Sequence, residues 1–368
     1  MLIYVNSPVS RWHVQTAGFQ TDIRWTMDVQ EFIANSGKKT ACLELLGDVK
    51  PTAVLHIPFP WEHGPGLVFE DTLDQVIDHC DRIAILCSEL HDTTVNFMVR
   101  YHDPKIKYFL CGVADHVEST PWMDWFTTSS FCYKNNPDIL AALNPYQTKP
   151  KTFDILLGQP KQHRDFVYHY INNNNFQDRV IMTYLRGFNQ TIPSGDTNEF
   201  IWEEDGVEFL ETDIKWTVTQ VKYHGQEMSL SQVVPIKIYN QTAYTVVCET
   251  NFNNHYSFYT EKIVKPILAE RLFIVLSSQY YLRNLRSFGF KTFDGIIDES
   301  YDTVADNNER FQLACEQISY LMSQPQEQIL AKIRSITEHN KQVMLTTEWS
   351  ADYFKLLREF LLAHTKQN

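Results

Sequence analysis

Short runs of consecutive apolar residues recur along this chain, separated by stretches whose apolar positions fall three and four apart. Residues 1–5, 53–57, 83–87 and 108–113 are such runs. A strand reads as near-continuously apolar when both faces of its sheet are covered, which is the condition of a parallel sheet under helices. Between the runs, residues 67–80 place Leu73, Val76 and Ile77 at helical spacing. Strands alternating with helices predict an α/β fold.

A second series follows the polar connector Pro145-Tyr146-Gln147-Thr148-Lys149-Pro150. Its apolar runs are 153–157, 180–184, 244–248 and 272–276. A length of 368 residues is too great for one ordinary core. Two domains are therefore expected, 1–147 and 148–368, with the boundary near 147. At the end of the chain Tyr353, Leu356, Leu357, Phe360 and Leu361 make one apolar stripe, which predicts a helix over about 351–363. Ser350 is suited to cap it. Packing of that helix back on the first domain is the expectation.

Composition narrows the function classes. The formal charge of −13 argues against a broad duplex-binding surface, which needs Lys and Arg against phosphates. Aromatics make up 13% of the chain, enough both for cores and for stacking on rings. The seven Cys (positions 42, 80, 87, 111, 132, 248 and 315) show no C-x-x-C spacing, so a zinc knuckle or redox pair is not expected, and a reducing, cytoplasmic setting is. The N-terminus lacks the pattern of a secretory signal, and no apolar run is long enough to span a bilayer. No stable membrane insertion is expected.

Residues 244–293 are the most informative segment. They read strand, polar loop, helix, strand, helix, Gly289, strand. The first strand ends in Glu249-Thr250-Asn251, at the carboxyl end where open α/β sheets gather ligands. Thr260 is a natural N-cap, which places Glu261 and Lys262 in the first helical turn. Free N–H groups and the positive helix end attract phosphate there, Lys262 adds a cation, and Glu261 is an acceptor for ribose hydroxyls. The plainer alternative is a Glu that complements the helix dipole. Pro266 is expected to distort the helix locally.

The order Glu249-Thr250 … Phe258-Tyr259-Thr260-Glu261-Lys262-Ile263 … Pro266-Ile267-Leu268-Ala269 … Phe273-Ile274-Val275-Leu276 resembles the donor-binding motif of α1,3-fucosyltransferase-like glycosyltransferases. The likeness runs more loosely through Phe288-Gly289-Phe290-Lys291-Thr292-Phe293 to Asp298-Glu299-Ser300-Tyr301-Asp302, as in bacterial and phage relatives. It covers about residues 244–302. The turn Glu270-Arg271 departs from the family, where a small residue commonly stands. The resemblance implies a GT-B architecture, two Rossmann-like domains facing each other across a cleft. It implies a nucleotide-diphosphate sugar as donor, held by the C-terminal domain, and an acceptor held by the N-terminal one. Glu261 then answers to the ribose-binding carboxylate, Lys262 to a diphosphate contact and Glu249 to a donor-sugar contact. GT-B enzymes generally need no metal, and neither a metal nor a cofactor is expected. Inversion is the implied stereochemistry.

Other loops supply candidates. Gly158-Gln159-Pro160-Lys161-Gln162-His163-Arg164 follows the strand at 153–157 and precedes a helix expected to start near Phe166. Gly158 permits close backbone approach, and Lys161, His163 and Arg164 near a helix start suggest an anionic partner. A solvated basic loop is the alternative. In the first half, Pro58-Phe59-Pro60-Trp61-Glu62-His63-Gly64-Pro65-Gly66 follows a strand. Glu62 or His63 is the candidate base that deprotonates an acceptor hydroxyl, and Trp61 a stacking surface. Glu89 and His91 form an alternate acceptor loop. No P-loop and no nucleophile elbow occurs.

The predicted activity is transfer of a sugar to a hydroxyl of a glycan or lipopolysaccharide, or of 5-hydroxymethylcytosine in phage DNA. The DNA acceptor needs base flipping and a basic groove, for which Arg100, Lys105, Lys107, Lys149, Lys151, Lys161 and Arg164 are the candidates. The rival class is a non-catalytic carbohydrate- or nucleotide-binding protein on a transferase-like fold.

Overall fold

A computed structural model describes residues 2–5, 14–18, 24–31, 52–57, 67–87, 90–115, 117–184, 204–210 and 220–362. These residues form an α/β protein of parallel sheets and helices. The chain divides into two compact units, 1–124 with 348–368, and 125–347. The connector at 145–150 lies inside the second unit.

The first unit is built on β1 (Leu2–Val5), β2 (Arg24–Thr26), β3 (Thr52–Ile57), β4 (Arg82–Cys87) and β5 (Ile106–Leu110), followed by short strands β6 (Gly112–Ala114) and β7 (Ser119–Pro121). Among the described residues, one sheet runs in the order β2-β1-β3-β4-β5-β7, every neighbour parallel. The strand order turns back between β1 and β3. Helices α1 (Leu67–Ile77) and α2 (Asp92–Arg100) lie between strands in the chain. Ile83 to Cys87 are all buried, as the unbroken apolar run requires.

The C-terminal helix, Ala351–Leu362, belongs to this unit. Tyr353, Leu357 and Leu361 share a core with Val5, Val54, Leu86, Phe109 and Trp122. Tyr353 stacks on Trp122 at 5.5 Å and meets Phe109 edge-on at 5.3 Å. Arg358 donates to the Ala17 carbonyl and Arg82 to that of Phe360, both at 2.9 Å. The apolar stripe is thus the helix's packing face, tied at its rim by two arginines.

The second unit starts within α3 (Asp124–Asn135), followed by α4 (Pro137–Ala141). Its sheet has the order β15-β13-β8-β9, all parallel, from β8 (Lys151–Leu157), β9 (Val180–Tyr184), β13 (Thr242–Cys248) and β15 (Phe273–Leu276). All seven residues of β13 are buried. A separate antiparallel meander of β10 (Val207–Phe209), β11 (Gln220–Tyr223) and β12 (Gln226–Ser229) comes before α6 (Ile236–Tyr239). α5 (Gln162–Asn173) follows β8, and short strand β14 (Tyr256–Phe258) leads into α7 (Glu261–Leu268). α8 (Tyr281–Ser287), α9 (Asn307–Ser323) and α10 (Gln326–Thr346) complete the unit.

Two expectations are corrected. No strand forms at 290–293, where only an isolated bridge from Asp294 to Ile297 follows. Side chains take the backbone groups a strand would use: Asn340 binds both the N–H and the carbonyl of Lys291, and Glu299 accepts the Phe293 N–H. The helix after β8 starts at Gln162, not near Phe166. His163 and Arg164 therefore lie within its first turn, which decides where they point.

Candidate functional site

In the second sheet the chain runs from β8 outward to β9, then returns to place β13 on the other side of β8. The carboxyl ends of β8 and β13 thus flank a topological switch point. Loops leaving a switch point diverge and open a crevice, where open α/β sheets bind ligands. The loop at 158–161 leaves β8 there and Glu249 leaves β13.

Glu249 is fully buried. Its Oε2 accepts from Thr260 Oγ1 at 2.7 Å and the Thr250 N–H at 3.2 Å. Its Oε1 accepts from the Tyr281 hydroxyl at 2.7 Å and the Thr260 N–H at 3.4 Å. A carboxylate offers about four lone-pair sites, and four donors fill them. Burial raises its pKa, while Lys262, Thr260 and Tyr281 oppose that rise. The expected contact from Glu249 to a donor sugar has no free oxygen to make it. Glu249 organises the loop and the helix cap instead.

Thr260 caps α7 as its sequence position predicts, accepting the Lys262 N–H at 3.3 Å. α7 continues through Pro266 to Leu268. The Lys262 ammonium reaches Glu261 Oε1 at 2.8 Å, Thr250 Oγ1 at 3.2 Å and Thr260 Oγ1 at 3.4 Å. Its side chain keeps 24% exposure against 8% for Glu261. Burial works to raise the Glu261 carboxyl, but Lys262 and Lys265 outweigh it and leave the pKa below its ordinary value. Glu261 is thus an ionised acceptor with a narrow opening to solvent.

Lys265 stands one turn further along the same helix, half-buried, with its ammonium on the Ser231 carbonyl at 2.8 Å. Burial lowers its pKa to about 8, with Glu261 pulling the other way. The sequence reading passed over it, although a Lys four residues after Glu261 is a visible helical pair.

The β8 loop converges on the same place. Lys161 donates to the Thr250 carbonyl at 2.8 Å and lies 3.4 Å from Asn251 Oδ1. His163 and Arg164 are buried, and both bind the Glu249 carbonyl, at 2.8 and 3.1 Å. A carbonyl only accepts, so His163 carries its proton on Nε2. Its Nδ1 and the Arg164 Nε have no hydrogen-bond partner. Burial, then Arg164, depress the His163 pKa far below 6.5, so the ring is neutral. It packs on Phe252 and Phe311, at 4.7 and 6.0 Å, which also meet each other at 5.5 Å. A Cβ on Gly158 would come within 3.2 Å of Arg164 Nη1, so Gly158 makes room for that guanidinium. Of this loop's charged candidates, Lys161 is partly exposed while His163 and Arg164 are sealed in.

Four cations, Lys161, Arg164, Lys262 and Lys265, therefore surround two carboxylates, Glu249 and Glu261. Arg164 and Lys265 bind main-chain carbonyls, which are dipoles and do not cancel a net charge. The end of β13 is locally cationic within a chain of formal charge −13.

The charged turn Glu270-Arg271 lies at the other end of the strands. Arg271 is buried and makes bonds to Asp154, Thr242 and Thr245 and to the carbonyls of Tyr239, Thr242 and Tyr244, all within 3.0 Å. Glu270 binds Tyr146 at 2.5 Å and Lys341 at 2.6 Å. Thr245, against which Arg271 sits, is four residues or about 13 Å along the strand from Glu249. The departure from the family pattern here is a structural fastening remote from the β13 carboxyl end.

In the first unit, Trp61, Glu62, His63 and Glu89 lie outside the described residues. β3 ends at Ile57, beside the reversal of strand order between β1 and β3. His91 is half-buried and precedes α2. Of the groove candidates in the second unit, Lys149 and Lys151 stand at the start of β8 and Lys161 and Arg164 beyond its end. Seven strand residues, about 20 Å, separate the pairs. Arg100 is paired with Glu70 at 2.6 Å. The described cysteines are buried thiols outside any disulfide. Among the described residues, no helix is long and apolar enough to cross a membrane.

No family model matches this chain, and no curated protein matches it. Among solved structures, the catalytic domain of starch synthase IV from Arabidopsis thaliana bound to ADP and acarbose is similar. Identity is 11%, coverage is 94% of this chain and 78% of that one, and the TM-score is 0.34. A score so low carries no argument for fold or function.

Proposed function

We propose that this protein is a glycosyltransferase whose second unit binds a nucleotide-diphosphate sugar at the carboxyl ends of β8 and β13. The observation that carries the reading is the gathering of cations at the switch point, with Lys262 partly open to solvent. An entering diphosphate exchanges the Lys262–Glu261 pair for a phosphate contact and meets Lys161 and Lys265 behind it. The same charges favour departure of the nucleoside diphosphate, since they act where negative charge develops. Glu261, freed of Lys262, accepts a ribose hydroxyl. No step in this scheme requires a metal. The acceptor belongs to the first unit, as in the GT-B architecture, with Glu62 or His63 as base and inversion as the outcome.

A glycan or lipopolysaccharide hydroxyl fits better than 5-hydroxymethylcytosine. The net charge opposes duplex binding, and the lysines at the two ends of β8 cannot line one groove. An electrophoretic shift at low salt is expected to show no DNA complex; a salt-sensitive complex would restore the DNA acceptor.

A thermal-shift screen with uridine, guanosine and cytidine diphosphates and their sugars tests the donor site, because a ligand of the native state raises its stability. Lys262→Ala is expected to weaken the diphosphate that binds by roughly 10- to 100-fold, the loss of a charge-assisted contact. Unchanged affinity in Lys262→Ala and Glu261→Ala would remove the assignment. Donor binding without turnover or donor hydrolysis would favour a non-catalytic binding protein.

A further inference from the structure

The segment Asp298–Asp302 is part of the sequence resemblance, and its last residue acts on the site from a neighbouring helix. Asp302 clamps the start of α8. Its two carboxylate oxygens accept the N–H groups of Leu282 and Arg283 at 2.7 and 2.9 Å, and its carbonyl accepts that of Tyr280 at 2.6 Å. Tyr280 adopts the left-handed conformation, φ +64°, that turns the chain into the helix. Tyr281 is the first residue of α8 and is buried. Its ring packs on Tyr259 at 4.6 Å, and the Tyr259 hydroxyl donates to its carbonyl at 2.9 Å. Backbone and ring are both fixed, and the hydroxyl is delivered to Glu249 at 2.7 Å.

The direction of each bond beyond that point follows from chemistry. An ionised carboxylate only accepts, so Tyr281 and Thr260 both donate to Glu249. Thr260 has one hydroxyl proton, committed to Glu249 Oε2. Its oxygen then has only lone pairs to offer, and it offers them to the Lys262 N–H and ammonium. A protonated Glu249 breaks this order, because Thr260 can then turn its own proton toward Lys262, donor against donor.

We propose that Tyr281 is a positioning residue for the diphosphate site: by donating to Glu249 Oε1 it fixes the carboxylate that takes the Thr260 hydroxyl proton, and through Thr260 it aims Lys262. Asp302 acts one step earlier by fixing the turn that presents Tyr281. This rests on the donor-site reading above and deepens it. Nothing in the relay touches the ligand except Lys262.

The groups facing Glu249 are Lys262, Lys265 and Glu261 from α7, His163 and Arg164 from α5, Cys248 from β13, Tyr281 from α8 and Tyr259 ahead of α7. Burial raises the Glu249 pKa and the Tyr281 bond is among the groups that lower it. A carboxylate with an elevated pKa is ionised above that value and lost as pH falls through it. Removing Tyr281 moves the loss to higher pH.

The test is Tyr281→Phe, which keeps the ring and deletes the donor. Uridine, guanosine and cytidine diphosphates are titrated into wild type and variant by calorimetry between pH 5 and 8, and the tightest wild-type ligand is followed. Expected are a roughly three- to tenfold weaker Kd at pH 7.5 and an acid limb shifted to higher pH. Titration of the probe's own phosphate is common to both proteins and cancels. The shifted limb separates positioning from loss of packing, which lowers stability without moving it. In a Glu249→Gln background Tyr281→Phe is expected to move no limb. If Tyr281→Phe does not fold, Thr260→Ser and Thr260→Val take its place, Ser keeping wild-type affinity and Val losing it. Wild-type binding with an unmoved limb in Tyr281→Phe, or full affinity in Thr260→Val, overturns the relay alone. Absence of any diphosphate binding by wild type overturns the donor site and this inference with it.

Discussion

At the Thr242 end of β13, Arg271 and Asp154 form a buried pair 2.6 Å apart, one cation to one carboxylate. Every N–H of the guanidinium has an acceptor, and its plane lies over the Tyr239 ring at 4.2 Å. At the Cys248 end, four cations surround two carboxylates, and Lys262 stays partly open to solvent. Both clusters hold buried charge on one strand. The first is charge-balanced, every guanidinium N–H held though Asp154 Oδ2 has no hydrogen-bond partner, which fits a fastening of strands to the turn before β15. The second is left cationic, which a fold does not require and an anionic ligand does. Charge in the interior is therefore a poor guide to function until it is counted against its neighbours and its exposure.

That contrast can be broken at its charge-balanced end with the largest effect. Arg271→Met strands the Asp154 carboxyl in the interior, where burial already raises its pKa. A loss of about 3–5 kcal/mol in denaturant unfolding is expected, with diphosphate affinity of the folded fraction unchanged. Adding Asp154→Leu is expected to recover much of it, since an apolar pair needs no solvation. If Arg271→Met instead abolishes binding in a fully folded protein, the two ends are coupled and the contrast fails.

Gly158→Ala sharpens the picture at the open end. The added Cβ presses on Arg164 Nη1, which holds the Gln159 carbonyl at 2.8 Å. About 1 kcal/mol of stability is expected to go, without change in diphosphate affinity beyond a factor of about two. A tenfold loss of affinity at near-native melting temperature would instead mean that the loop touches the ligand.

The smallest expected effect comes from Lys265. Its pKa in the fold is about 8, below its ordinary 10.5. Between those values the unfolded chain holds a proton that the folded chain lacks, so this group makes stability rise with pH in that window. Ligand binding runs the other way, because the cation is lost above pH 8. A roughly two- to fourfold fall in diphosphate affinity from pH 7 to 9 is expected by calorimetry, and Lys265→Met is expected to flatten it. An equal slope in the variant would place Lys265 outside the site's field.

Much of the fold was legible because parallel strands advertise themselves. The runs at 53–57, 83–87, 153–157, 180–184 and 244–248 end where β3, β4, β8, β9 and β13 end. The apolar stripe of the last helix and the Thr260 cap were equally local, readable from spacing and residue type. The meander β10-β11-β12 went unread, since its strands have three or four residues and few of their positions are buried. Lys161 and Lys262 could be singled out along the chain as cations beside helix starts. His163 and Arg164 could be singled out on the same grounds, but the helix begins earlier than the sequence suggested and turns them inward.

The sequence by itself determined the alternation of buried strands and helices, the cap at Thr260 and the presence of acid and base at the head of α7. Those properties depend on neighbours within a few residues. Tertiary structure alone decided that Glu249 is saturated, that Arg271 belongs to the far end of the strand, and that Tyr281 reaches back across 32 positions to Glu249. A hydrogen-bond tally and a local charge balance are sums over groups brought together by strand order, and strand order is written nowhere in the spacing of residues.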